Sequence, residues 1–142
     1  MEWHQAAYSK RMIYYWLVQL VNDVKRRCGM PEFKNHVLVC DVERDDGAHC
    51  GNKGGAEVKK KVIEMLSKHG LRSNVYVSSV GCTSQHRLCD MEQCSMIVYG
   101  PGNEGTWYVT NPDDVERIVE EHLIGGNVVQ DLVNNGMKVA TE

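Results

Sequence analysis

The stretch His36–Val42 reads HVLVCDV, and its β-branched and apolar residues predict a buried β-strand. A loop rich in Asp and Gly follows this strand. Apolar residues at helical spacing then predict an amphipathic helix over Ala56–His69, and alternating residues predict a second strand over Asn74–Val80. Strand, helix and strand in this order form a β-α-β unit, in which the two strands run parallel.

Downstream of this unit, the sequence predicts a β-hairpin and a final helix. Ser95–Tyr99 and Thr106–Thr110 are short apolar runs separated by a turn that contains Pro and Gly. Asn111 is placed to cap a helix over Pro112–Leu123, because its side chain accepts hydrogen bonds from backbone N–H groups of the first turn. We expect the tail after Leu132 to be loosely held.

Upstream of the β-α-β unit, apolar residues at helical spacing predict one long helix over residues 5–28. The complete order is helix, β-α-β unit, β-hairpin and helix. This order predicts an α/β fold, a thioredoxin-like mixed sheet flanked by helices with an extra N-terminal helix. We therefore expect an N-terminal helical extension over residues 1–33 and a thioredoxin-like domain over residues 34–142.

Composition and charge exclude several classes of protein. The net charge of −3 argues against a nucleic-acid-binding protein, which needs a clustered basic face. No apolar run approaches the roughly 20 residues of a membrane span, and the N-terminal residues do not resemble a signal peptide. We therefore expect a cytoplasmic protein. Because the cytoplasm keeps thiols reduced, the six cysteines indicate metal binding or redox chemistry and not disulfides.

Five cysteines lie where the topology brings distant residues together. Cys40 ends the first strand, Cys50 lies in the loop after it, and Cys82 follows the second strand. Cys89 and Cys94 lie in the next loop. The two loops leave the same edge of the sheet, so their thiols gather at one end of the domain. A buried apolar role explains one or two cysteines, but not four or five in polar, glycine-rich loops.

Several segments together resemble the thioredoxin-like [2Fe–2S] ferredoxins. They are HVLVC (His36–Cys40), HCGNKGGAEV (His49–Val58), VGC (Val80–Cys82), IVYGPGNEGTWYV (Ile97–Val109) and NPDDVERIVEEHLIGGNVV (Asn111–Val129). The resemblance extends over residues 34–132. It implies a one-electron carrier with a [2Fe–2S] cluster as its cofactor, a redox partner protein, and a homodimer. It also implies that the ligands are Cys40, Cys50, Cys82 and Cys89.

The fourth ligand is where the sequence departs from the family pattern. The family has Cys-x3-Cys followed by Gly-Pro. In this chain, His86 stands where the second cysteine of that motif would be. Cys89 lies within one residue of the family's last cysteine, counted back from the next strand. Cys94 and His86 remain alternatives, because imidazole also ligates some [2Fe–2S] centres.

The sequence contains no signature of an enzyme. It has no Cys-x-x-Cys, which a thioredoxin-type oxidoreductase needs. No Ser-His-Asp, paired-carboxylate or phosphate-loop pattern stands out either. We expect a ferredoxin that is not an enzyme. The alternative is a zinc-binding structural or interaction module of thioredoxin-like fold, because zinc also binds four thiolates.

The N-terminal helix lies outside the resemblance. Its apolar residues from Ile13 to Val18 occupy nearly three sides, which is more than one packing face uses. We expect this helix to form an interface, either in the homodimer or with the redox partner. Packing of the helix against its own domain is the alternative.

Overall fold

The structure is a computed structural model of the 142-residue chain. It describes residues 10–27, 29, 32–47, 49–85, 88, 91, 93–101 and 104–137. The chain divides into two compact units, Met1–Glu32 and Phe33–Glu142. The first unit contains helix α1 (Lys10–Arg27). Residues 5–9 and 28 of the predicted helix lie outside the described residues. No helix in the described part of the chain has the length and apolar character that crossing a membrane requires.

The second unit contains a four-stranded mixed sheet. Its elements are β1 (Asn35–Cys40), α2 (Gly55–Lys68), β2 (Val75–Val80), β3 (Cys94–Tyr99) and β4 (Gly105–Thr110). The strand order is β2-β1-β3-β4. Strands β1 and β2 are parallel, whereas β1 with β3 and β3 with β4 are antiparallel. The predicted β-α-β unit and hairpin are therefore both present.

The first strand is shorter at its carboxyl end than predicted. It ends at Cys40, two residues before the predicted end at Val42. The carbonyl of Val42 accepts a hydrogen bond from the N–H of Gly51 at 2.8 Å. It therefore pairs with the following loop and not with a neighbouring strand. This early end places Cys40 at the point where the chain leaves the sheet.

The final helical segment begins where the capping signal predicts. A 3₁₀ turn (Pro112–Asp114) leads into helix α3 (Val115–Arg117), which continues as a π-helix (Ile118–Ile124). The Asn111 N–H donates to the Asp114 carboxylate at 2.9 Å, and the Asn111 side chain accepts from the Asp114 backbone N–H. This reciprocal capping box satisfies two N–H groups at the start of the segment.

One apolar core joins the sheet to both helical segments. Helices α2 and α3 contact each other, and their buried side chains belong to the same cluster as those of β1, β3 and β4. The main members are Val37, Val39, Val58, Val62, Leu66, Met96, Val98, Tyr108, Val115, Ile118 and Val119. Helix α2 is thereby fixed beneath β1, with its first residue near the end of that strand.

The tail is held in place over its described residues, 133–137, so the expectation of a loose tail is wrong there, and residues 138–142 lie outside the described residues. Val133 forms an antiparallel bridge with Tyr108 of β4. The side-chain amide of Asn134 donates to the Gln85 Oε1 at 2.7 Å. Gln85 lies in the loop that follows β2, so the tail connects β4 with that loop.

A hydrogen bond between the buried Tyr108 and the half-buried His122 links β4 to the π-helix. The Tyr108 oxygen accepts the N–H of Val129 at 3.2 Å and lies 2.8 Å from the Nδ1 of His122. The Tyr108 O–H donates to this Nδ1 in the neutral tautomer of His122 that carries its proton on Nε2. Desolvation by burial raises the pKa of Tyr108 to about 12 and lowers the pKa of His122.

This pair predicts a loss of stability at mildly acidic pH. The folded state lowers the pKa of His122, so its stabilising contribution is full above the unfolded pKa of about 6.5 and declines as the pH falls below it. We expect the thermal midpoint to fall between about pH 7.5 and pH 5.5, and to fall less in His122→Gln. Thermal melts followed by circular dichroism measure both slopes. Equal slopes for wild type and His122→Gln would contradict this account.

Candidate metal centre

The carboxyl ends of β1 and β2 bring two predicted ligands to one edge of the sheet. Cys40 is the last residue of β1 and pairs with Val80, the last residue of β2. Cys82 follows two residues later. Cys40 is buried and Cys82 is exposed. A group held between these thiols would have one protected side and one side near solvent.

A glycine brings the backbone of a third predicted ligand to the same place. The N–H of Gly55, the first residue of α2, donates to the carbonyl of Cys50 at 2.7 Å. A Cβ on Gly55 would collide with the carbonyl oxygen of Cys40 and lie 2.8 Å from that of Cys50. Only glycine allows this approach. Gly55 thus forms a cradle between the backbones of Cys40 and Cys50.

The loop after β2 is folded around the sulfur of Cys82. The N–H of Ser84 donates to the Sγ of Cys82 at 3.3 Å, and Ser84 has a positive φ of 58°. Gln85 is buried and donates to the Ser95 Oγ of β3 at 2.5 Å. The start of this loop is therefore anchored on β3, with a backbone donor aimed at a predicted ligand.

Cys94 has different surroundings from the exposed Cys82. It is the first residue of β3 and is fully buried. Its thiol donates to the carbonyls of Lys53 at 3.2 Å and Cys50 at 3.5 Å. A thiol that donates must be protonated, whereas a metal ligand is a thiolate. These contacts are typical of a structural cysteine.

Sequence reasoning missed a polar network beside Cys40. The Ser79 hydroxyl donates to the Asp41 carboxylate at 2.5 Å, and the Lys59 Nζ lies 3.3 Å from the same oxygen. Lys59 also contacts the Ser79 hydroxyl. In the sequence, Lys59 belongs to a basic run that is typical of a solvated helix face. Its partner Asp41 directly follows Cys40. That adjacency is the one feature of the sequence that could have indicated a polar network beside the predicted ligand.

The described residues contain part of the predicted ligand set. Cys40, Cys50 and Cys82 occupy one edge of the sheet, whereas Cys89 and the alternative His86 lie outside the described residues. Among the residues that are described, no three His, Cys, Asp or Glu side chains form a group that could hold a metal ion. Three cysteines at one edge, two of them beside a glycine cradle, nevertheless have the donor chemistry that an iron–sulfur cluster requires.

Comparisons with known proteins identify the family. No protein-family model matches the chain. A [2Fe–2S] ferredoxin of Clostridium pasteurianum is 36% identical over 103 residues, which cover 70% of this chain and 94% of that protein. This chain belongs to the thioredoxin-like [2Fe–2S] ferredoxins.

Two further relatives of this ferredoxin come from Aquifex aeolicus. A [2Fe–2S] ferredoxin of that organism is 35% identical over 112 residues, which cover 73% of this chain and 91% of the relative. A crystal structure of its wild-type thioredoxin-like [2Fe–2S] ferredoxin superposes with a TM-score of 0.61 at 31% identity. The match covers 73% of this chain and 99% of that one. The predicted family and the thioredoxin-like fold are confirmed.

The family assignment also decides between the two predicted functions. It confirms a [2Fe–2S] electron carrier with cysteine ligands and favours it over the zinc-binding module. Ferredoxins transfer electrons to partner proteins and are generally not enzymes.

Proposed function

We propose that this ferredoxin holds its cluster through Cys40, Cys50, Cys82 and Cys89 and exchanges single electrons with a redox partner protein, without catalysing a reaction of its own. The observation that carries the proposal is the placement of buried Cys40 and exposed Cys82 at the paired ends of β1 and β2. A group bound there is shielded by the core on one side. Its other side is accessible to a docking partner.

The choice of Cys89 over Cys94 rests on the contacts of Cys94. Using the Cys94 sulfur as a ligand would remove its proton and its hydrogen bonds to the Lys53 and Cys50 carbonyls. It would also place a thiolate against two carbonyl oxygens in a fully buried position, which is costly. The spacing of Cys89 before β3 supports it as the fourth ligand.

The residues around the ligands stabilise negative charge on sulfur. When bound, a [2Fe–2S] cluster accepts and releases one electron between its oxidised and reduced forms. The Ser84 N–H points at the Cys82 sulfur, and a hydrogen bond there lowers the energy of the thiolate. The Lys59–Asp41–Ser79 network fixes the chain directly after Cys40 to both β2 and α2. These contacts hold the loop after β1 and the loop after β2 in position to bind the cluster.

We also propose a division of the chain into a helical extension, residues 1–33, and a ferredoxin domain, residues 34–142. The division is supported by the two compact units, which part after Glu32, and by relatives that match 70–73% of the chain. We propose a cytoplasmic location, where thiols stay reduced for cluster binding. A homodimer is supported by the exposed rings of Phe33 and Tyr76, which contact each other at an angle of 40° with their centroids 5.1 Å apart.

A redox titration tests the proposed single-electron exchange. We expect the visible absorption of the anaerobically purified protein to bleach in one transition, with the roughly 59 mV per decade slope of a one-electron couple. A dithiol–disulfide couple would follow a slope of about 30 mV per decade without visible colour. That second result would contradict the proposal.

A further inference from the structure

Helix α1 exposes an unusual amount of apolar surface. Every large apolar side chain from Met12 to Val24 is at least 40% exposed, and Trp16 reaches 75%. The complete set is Met12, Ile13, Tyr14, Tyr15, Trp16, Leu17, Val18, Leu20, Val21 and Val24. Exposed apolar surface of this extent indicates an interaction site.

Eight of the ten apolar side chains share one broad side of the helix. At 100° per residue, the sector from Trp16 through Leu20 and Leu17 to Val18 spans about 200°. Arg11 and Gln19 lie on the remaining side, together with Met12 and Tyr15. An amphipathic helix that binds in a protein groove uses a narrower stripe with anchors at i, i+3, i+4 and i+7. A sector of about half the circumference suits a planar boundary between water and an apolar medium.

The charge of α1 identifies the kind of boundary. Residues 10–27 contain five Lys or Arg and one Asp, a net charge of +4, within a chain of net charge −3. The rest of the chain therefore carries −7. All six charged residues lie in the first two or last five positions, so residues 12–22 are uncharged. Two α1 helices brought together would repel each other, which disfavours a second copy as the occupant. An anionic surface is complementary in charge to α1 and not to the rest of the chain.

We propose that α1 binds the surface of a membrane that contains anionic lipids and lies in the plane of its headgroups. The apolar sector enters the boundary between headgroups and acyl chains, where the rings of Trp16 and Tyr14 are favoured. The basic residues near both ends of the helix contact lipid phosphates. Binding through α1 would bring the ferredoxin unit to the membrane, where membrane-associated redox partners are available.

Vesicle flotation of the full-length, cluster-containing protein tests this proposal. The vesicles are phosphatidylcholine alone and phosphatidylcholine mixed with phosphatidylglycerol. We expect at least about tenfold more protein to float with the anionic vesicles at low salt, and this excess to fall as salt is raised. Absence of binding to anionic vesicles would overturn the proposal.

Two variants with the same added charge separate the apolar sector from net charge. Leu20→Glu changes the apolar sector, and Gln19→Glu changes the opposite side of the helix at the neighbouring position. Leu20→Glu should lower vesicle binding at least about tenfold, and Gln19→Glu by less than about threefold. Equal losses would overturn the proposal. Sedimentation should show the same oligomeric state for Leu20→Glu and wild type. Dissociation of that variant would overturn the proposal in favour of a second copy.

Discussion

Replacing Cys40, Cys50 or Cys82 singly with serine is expected to lower the cluster content at least about tenfold. Loss of a hydrogen-bond partner of a metal ligand already lowers metal affinity about 10–100-fold, and loss of the ligand itself should lower it at least as much. Each replacement removes one of three cysteines whose backbones lie near the carboxyl ends of β1 and β2. Serine keeps the size of the side chain, so the core should remain folded. Iron content and visible absorption, measured after anaerobic purification, give the result.

The same series decides the fourth ligand. Cys89→Ser should lose the cluster to the same degree, whereas Cys94→Ser should keep it and lose only the hydrogen bonds of a buried thiol. Cys28→Ser is the control outside the ferredoxin domain and should leave the spectrum unchanged. A normal spectrum in Cys89→Ser together with a lost cluster in Cys94→Ser would show that the fourth ligand is Cys94.

Gly55→Ala is the second change with a large expected effect. The added Cβ would collide with the Cys40 carbonyl and approach that of Cys50, and both are backbone atoms that cannot turn aside. The resulting shift should cost on the order of 2–4 kcal/mol of unfolding free energy, well above the roughly 1 kcal/mol that alanine gains in a helix. It should also move two ligands apart and reduce cluster content. Chemical denaturation and iron analysis measure the two effects.

Gly81→Ala is the matched control. Gly81 directly precedes Cys82, but a Cβ there would meet no atom within 4 Å. We expect stability to change by less than about 0.5 kcal/mol and the cluster to be retained. If Gly81→Ala lost the cluster and Gly55→Ala kept it, the proposed cradle at Gly55 would be wrong.

Local patterns in the sequence were sufficient to predict the elements of the fold. The apolar spacing of α2 and the capping signal at Asn111 depend on neighbouring residues, and both predictions are confirmed. The end of β1 depends on a hydrogen bond between Val42 and Gly51, which the local strand pattern does not contain. The prediction of a loose tail was wrong for residues 133–137 for the same reason, because Asn134 is held by the distant Gln85.

The placement of Cys40 and Cys82 at one edge of the sheet was predictable, whereas the contacts around them were not. The β-α-β topology places Cys40 and Cys82 at one edge whatever the details of the loops. The buried contacts of Cys94 require the start of β3 to pack beside the Lys53 carbonyl, which no spacing rule predicts. The Lys59–Asp41–Ser79 network likewise joins three elements through long-range packing.

The central claim, a cysteine-ligated [2Fe–2S] electron carrier, is tested most directly by combining metal and sulfide analysis with electron paramagnetic resonance. The anaerobically purified protein should contain about two iron and about two acid-labile sulfide per chain. After reduction it should show an S = 1/2 signal of about one spin per chain. A colourless protein with about one zinc per chain, no sulfide and no signal would contradict the account.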